Sequence, residues 1–374
     1  MQDVDRRTFL SSLAAGAISL SVRGVPSSIP DAAEILHRRV DVQRRSVGMA
    51  AAIVTGQRSR IFCAGRERLT SDRKVSGDTV FEIASITKIF TALLLANAVR
   101  WGKVAIDDPV TKHLPSDFVL PQRDGRPITL ADLATHTSGL PSFPPLERNQ
   151  SLATYSDNDF KAWLASFELT RMPGSQWEYS NAGYTLLGLA IAHRADRSFD
   201  EVLQRQLLDP LELHSTFMNP PASAAERLAE GHDRRLKPGP SFDDGIFAPS
   251  GGLLSTANDF ARFIGALMPG SGSTVEPLQR FLLSMRRPAA ASGGQQAIGW
   301  EVLPAREGDF VSKDGVSVFQ CASAVIDPIR HLGVIALSNT AAEFRATDTS
   351  PSGGGVGAAD VARHLLWPSI PLGA

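Results

Sequence analysis

The chain has 374 residues, 43% hydrophobic and 21% charged, with a formal net charge of −1. That profile fits a globular protein with ample core-forming material, arranged as one large α/β unit or as two domains. The near-neutral balance and the lack of any basic run remove the electrostatic case for a nucleic-acid partner.

At the start, "DRRTFL" (Asp5 to Leu10) precedes the mildly apolar "SSLAAGAISLSV" and then Arg23. A paired arginine before a modest apolar stretch reads as a twin-arginine export signal over residues 1–28. The stretch is too short for a membrane span, which needs about 20 apolar residues. The expected partner is the twin-arginine export machinery, and the expected location is periplasmic or extracellular. The mature chain, 29–374, opens with a helix signalled by Asp31 after Pro30. "VGMAAAIVTG" and "SRIFCAG" follow as short β-type runs about a Gly-Gln turn, a hairpin pattern. Next comes "FEIASITKIFTALLL" (81–95), a helix starting at Ser85, with "WGKVAIDDPVTKHLP" closing it. From about Ile128 to Met285 the pattern is mostly helical, in "TLADLATHT", "NDFKAWLASF", "GYTLLGLAIAHRA", "FDEVLQRQLL" and "TANDFARFIGALM". β-character returns in "GWEVLPA", "DFVSKDG", "FQCASAVIDP" and "HLGVIALSN", and a last helix is expected at "AADVARHLLW". The two cysteines, Cys63 and Cys321, sit mid-strand and read as buried apolar thiols. Strands at both ends around a helical middle predict an α/β (α+β) fold. A mainly antiparallel sheet from 31–105 and 286–374 carries a helical lobe from 106–285, with a site in the cleft.

Three stretches carry chemistry. Ser85 and Lys88, three apart, face the same way on a helix whose start favours a developing anion. Against apolar surface the Lys88 ammonium is costly unless partnered. The string alone is weak, because "SDRK" (Ser71 to Lys74) repeats it in a polar segment; a single solvated lysine is the plain alternative. Tyr179-Ser180-Asn181, in "EYSNAGY", precedes an apolar helix, for which Asn181 as a simple cap is the bland reading. Lys313-Asp314-Gly315, in "VSKDGVSV", ends a β-type run, and Gly315 would let a substrate backbone approach the strand edge.

In order and in context, S-x-x-K, Y-x-N and K-x-G resemble the serine β-lactamase and penicillin-binding protein superfamily. The likeness is greatest to class C β-lactamases, DD-peptidases and family VIII carboxylesterases. "ITLADLATHTSGLP", "PGSQWEYSNAGY", "APSGGLLSTANDFARF" and "LGVIALSN" also match that pattern, so the resemblance covers roughly Val47 to Asn339. It implies the β-lactamase/transpeptidase-like fold and an acyl-enzyme on Ser85, with Lys88 and Tyr179 as base candidates. Their free pKa values are about 10.4 and 10, so one of them must sit about two to three pH units lower to act near neutrality. Burial would lower the lysine, a second ammonium would lower a lysine and a tyrosine alike, and Lys88 and Lys313 on either side of Tyr179 would supply that field. The resemblance also implies that Asn181 holds Lys88 and bonds an acyl amide, that Lys313 attracts a substrate carboxylate, and that the N–H groups of Ser85 and Val316 form the oxyanion hole. No cofactor is implied, and no His/Cys/Glu group has metal-ligand spacing. The implied partner is a small molecule or peptidoglycan peptide. His136, in "LATHTSGLP", reads as structural, and no G-x-S-x-G string points to an α/β-hydrolase.

Some positions depart from the class C pattern: Phe143 stands for a glutamine, Phe319-Gln320 for a Gly-Phe pair, and Glu343, near Arg345, for an asparagine. Substrate choice is therefore left between β-lactams or D-Ala-D-Ala peptides and small acyl esters. A non-catalytic peptidoglycan- or β-lactam-binding relative would have lost Ser85, Lys88 or Tyr179, and none is lost. In the family's sheet order Cys63 and Cys321 lie three strand spacings apart. At about 4.8 Å each, some 14 Å separates them, beyond disulfide reach.

Overall fold

The structure is a computed structural model that describes residues 31–372 apart from 149, 242, 289–293, 306–307 and 343–356. The export-signal reading of 1–28, and the positions Glu343 and Arg345, lie outside the described residues. The elements used below, in chain order, begin with helix α1 (Ala32–His37), strands β1 (Gly48–Thr55), β2 (Arg58–Gly65) and β3 (Val80–Glu82), and helix α2 (Thr87–Arg100). The middle supplies α3 (Leu130–Ala134), α4 (Asp157–Ser166), α5 (Asn181–Ala195), α6 (Phe199–Leu203) and α7 (Ala222–Ala225), then β4 (Gly231–His232) and β5 (Pro238–Gly239). Next are α8 (Ala248–Gly251), β6 (Leu254–Thr256), α9 (Ala257–Leu267) and α10 (Glu276–Ser284). The chain then forms β7 (Arg286–Pro288), β8 (Gln295–Ala297), β9 (Glu301–Leu303), β10 (Phe310–Val316), β11 (Cys321–Asp327), β12 (Leu332–Ser338) and α11 (Ala358–Leu366).

An eight-stranded antiparallel sheet runs in the order β2-β1-β12-β11-β10-β9-β8-β7, so both chain ends build it, as the sequence pattern predicts. The hairpin β1–β2 closes through Gly56-Gln57, with Thr55 opposite Arg58 and Gly56 at φ 58°. Alternation along β1 sorts side chains to two cores. Ala50, Ala52 and Val54 join the large core that contains α2 and α9, while Met49, Ala51 and Ile53 join the core beneath α1 and α11. Although α9 follows the helical middle of the chain, it packs on this sheet, against β1, β12 and β2. No helix among the described residues is long and apolar enough to cross a membrane.

Helix α2 is buried around nearly its whole circumference, from Thr87 to Asn97, so it is a central helix with no solvated face. Phe90 stacks on Phe263 of α9 at 4.1 Å between ring centres. An all-round apolar helix of this kind belongs in a core, where any charge it carries must find partners.

Cys63 on β2 and Cys321 on β11 are free thiols with β1 and β12 between them, which agrees with the expected strand order. Cys321 is buried, but the expectation of a buried Cys63 is corrected: the residue is exposed. Strand β2 lies at one edge of the sheet.

Candidate active site

Ser85 lies in a single 3₁₀ turn, Ala84–Ile86, immediately before α2. Ala84 takes a left-handed φ of 44°, which bends the chain sharply from β3 into that turn and holds Ser85 at the cleft. For a non-glycine residue this conformation stores about 1–2 kcal/mol of strain. One turn into the helix, Lys88 is completely buried. Its Nζ donates to Ser85 Oγ at 3.2 Å, to Asn181 Oδ1 at 2.5 Å and to the Ser250 carbonyl at 2.7 Å. All three neighbours are neutral oxygens: a protonated Lys88 donates to each, and a neutral one, with two N–H groups, donates to Asn181 and Ser250 and accepts from Ser85. Burial, and secondly the Lys313 charge, lower the Lys88 pKa well below that of an ordinary lysine, with Asp244 opposing.

Tyr179 reaches Ser85 from the helical side, its hydroxyl donating to Ser85 Oγ at 2.6 Å. Two lysine nitrogens lie near its ring: Lys88 Nζ is 4.8 Å and Lys313 Nζ 5.0 Å from the ring centre. The sequence leads one to expect the two lysines to lower this phenol; the structure corrects that expectation. Burial pushes the Tyr179 pKa above the usual tyrosine range, more than the Ser85 hydrogen bond pulls it down. Tyr179 therefore holds its proton, and Lys88 is the group biased toward its neutral form.

The start of α5 explains Asn181. Ser180, not Asn181, caps the helix, its Oγ accepting from the Gly183 N–H at 2.8 Å. Asn181 is thereby released to bond Lys88, and its Nδ2 donates to Ser142 Oγ at 3.0 Å. His136, at φ 57° after α3, accepts the Ser180 N–H on Nδ1 at 3.1 Å. Its ring lies 4.6 Å from Tyr179 and 5.0 Å from Tyr184, and its carbonyl accepts the Glu178 N–H at 2.8 Å. Burial, reinforced by Lys313 and Lys88, keeps this imidazole neutral. The residue is structural, as expected, but it braces the Tyr179-Ser180-Asn181 segment directly.

Lys313 and Gly315 lie on β10. Strand β9 pairs with β10 only from Phe310 to Ser312, which leaves the edge from Lys313 to Val316 open. The Ser317 N–H turns toward Gln320 in the hairpin to β11, donating at 3.0 Å. Alternation then points the Val316 N–H to the open edge, beside Ser85. Gly315 permits the approach, since a Cβ there would lie 2.0 Å from the Ile83 carbonyl oxygen. On the far side of the sheet Asp314 accepts from Arg363 of α11 and from Ser323, which anchors the strand. Lys313 itself is buried, with Glu301 at 4.0 Å and no hydrogen bond to its Nζ among the described residues.

In front of Ser85 lies a cavity of about 700 Å³, lined by Ser85, Asn181 and Val316 and walled by Phe143, Leu152, Phe199 and Met218 among others. Phe143 is part of that wall. Phe319 does not line it; its ring covers Gly239, where a Cβ would lie 2.2 Å away. The Ser250 carbonyl was invisible to sequence reasoning. It is presented by α8, which approaches α5 at Gly188, where a Cβ would stand 2.3 Å from Pro249.

Comparisons with known proteins agree with this architecture. The fold matches a class C β-lactamase with a TM-score of 0.76, covering 94% of this chain and 100% of that one at 20% identity. It also matches a β-lactamase/D-alanine carboxypeptidase from Yersinia pestis solved with citrate, with a TM-score of 0.74, covering 90% and 98% at 21% identity. The β-lactamase family model matches residues 32–351, and the chain belongs to that family of hydrolases, within the serine β-lactamase and penicillin-binding protein superfamily. Its relatives include a β-lactamase of Escherichia coli K12, 29% identical over 76% of this chain and 74% of the relative. Another is the D-alanyl-D-alanine-carboxypeptidase/endopeptidase AmpH of the same strain, 29% identical over 68% and 67%.

Proposed function

We propose that the protein is an exported serine hydrolase that forms an acyl-enzyme on Ser85 and hydrolyses β-lactams or D-Ala-D-Ala-type peptide amides. The observation that carries this reading is the convergence of Lys88 Nζ and the Tyr179 hydroxyl on Ser85 Oγ at 3.2 and 2.6 Å. As Ser85 Oγ attacks the carbonyl, its proton passes to the neutral Lys88 amine, and the Ser85 and Val316 N–H groups receive the oxyanion. Tyr179 gives its proton to the leaving nitrogen or oxygen. In deacylation water gives a proton to the Tyr179 phenolate and Lys88 returns its proton to Ser85, so the cluster is restored.

A second reading, a carboxylesterase for small acyl esters, draws on two observations. The cavity wall is largely apolar, and Lys313 is buried beside the Tyr179 ring and is not among the residues lining the cavity, where it would meet a substrate carboxylate. Incubation of the mature protein with a penicillin, followed by intact-mass measurement, separates these. A persistent adduct on Ser85 marks a DD-peptidase, and rapid turnover marks a β-lactamase. No reaction together with turnover of a p-nitrophenyl ester marks the esterase. Full activity of Ser85→Ala on every substrate would falsify the assignment.

A further inference from the structure

The cavity in front of Ser85 has one sign of charge. Its lining holds four carboxylates, Glu82, Asp200, Asp243 and Asp244, and no lysine, arginine or histidine. Glu82 is engaged by Ser317 Oγ, which donates at 2.5 Å, and Asp200 accepts from Asn219 at 3.5 Å. Asp244 differs from them. Its carboxylate makes no hydrogen bond or ion pair to any described residue, and it sits against the turn that holds Lys88. A Cβ on Gly251 would lie 3.1 Å from Asp244 Oδ1, and the neighbouring Ser250 carbonyl bonds Lys88 at 2.7 Å. Lys88 makes no hydrogen bond to it, its Nζ bonding Ser85, Asn181 and Ser250 instead.

Resting on the acyl-enzyme reading above, we infer that Asp244 is a specificity-determining residue that selects acyl groups bearing a cationic amine on an aliphatic arm. The arm lies along Phe143, Leu152, Phe199 and Met218, and the ammonium meets the Asp244 carboxylate in the same cavity. Burial raises the Asp244 pKa to about 7 against the opposing pull of Lys88, so a carboxylate there is under-solvated. A substrate ammonium supplies the missing partner, and an anionic acyl group adds a repelled charge.

The test compares p-nitrophenyl esters of hexanoate, 6-aminohexanoate and the adipate monoester, matched in length and differing in terminal charge. The kcat/KM order expected is amine, then neutral, then acid. The amine-to-neutral ratio should fall by about tenfold in Asp244→Asn, the scale of one hydrogen bond to a charged group. Equal ratios in wild type, or a ratio that Asp244→Asn leaves unchanged, overturns the inference. Failure of all three esters while a penicillin still acylates Ser85 overturns it and spares the reading beneath. No Ser85-dependent reaction with either class overturns both.

Discussion

Replacing Lys313 with methionine removes a charge that acts on Lys88 through the Tyr179 ring. The two ammonium nitrogens lie 4.8 and 5.0 Å from that ring's centre, so they are no more than about 10 Å apart. At an effective dielectric near 20 their repulsion is then at least about 1.7 kcal/mol, or roughly one pH unit. The sign follows from the proton balance. Acylation uses Lys88 as a neutral amine, so activity rises as pH climbs through its pKa. That pKa is held down first by burial and then by Lys313. Without Lys313 the proton binds more tightly, and the acid limb of kcat/KM for p-nitrophenyl hexanoate moves about one unit toward alkaline pH. The neutral ester isolates this effect from any role of Lys313 in binding an anionic substrate. Because both groups are buried, the displacement should persist in about 1 M salt, where the screening length in solvent is about 3 Å. An acid limb that stays in place, or moves to lower pH, refutes Lys88 as the group whose deprotonation starts the reaction.

His136 and Gly315 give two further tests. His136→Phe keeps a ring beside Tyr179 but leaves the Ser180 N–H without its acceptor, and a buried unmatched donor costs about 1–3 kcal/mol. Denaturant unfolding should show that loss and a partial recovery in His136→Asn, whose side-chain oxygen can take the same N–H; equal losses would contradict the hydrogen-bond account. Gly315→Ala places a methyl where the Ile83 carbonyl oxygen is 2.0 Å away, so β10 must retreat from the turn that carries Ser85. Displacing an oxyanion donor typically costs about 100- to 1,000-fold in kcat. Ester turnover beside a near-native circular dichroism spectrum would show it, and undiminished turnover would remove Val316 from the mechanism.

How far the site was legible depended on whether its partners are side chains in recognisable settings. The two S-x-x-K strings have the same spacing, yet Lys74 is exposed and Lys88 completely buried. What distinguished them was the apolar run after Ser85, because a lysine inside a buried helix requires partners that a solvated one does not. Tyr179, Asn181 and Lys313 were readable for the same reason, each lying beside a strong helix or strand pattern. The Ser250 carbonyl was not, since any residue type offers a backbone acceptor and only the packing of α8 on α5 aims this one. The three-residue strands β3, β6, β7, β8 and β9 are too short for alternation to announce all of them, and only β9 fell within an expected run. The protonation of Tyr179 went astray for a different reason. Neighbouring charges can be inferred from motifs, but the extent of enclosure cannot, and around this phenol enclosure is the larger effect. The same asymmetry governs Asp244: the sequence shows two adjacent aspartates, and only the fold brings both to the nucleophile's cavity while leaving the Asp244 carboxylate without a hydrogen-bond partner among the described residues.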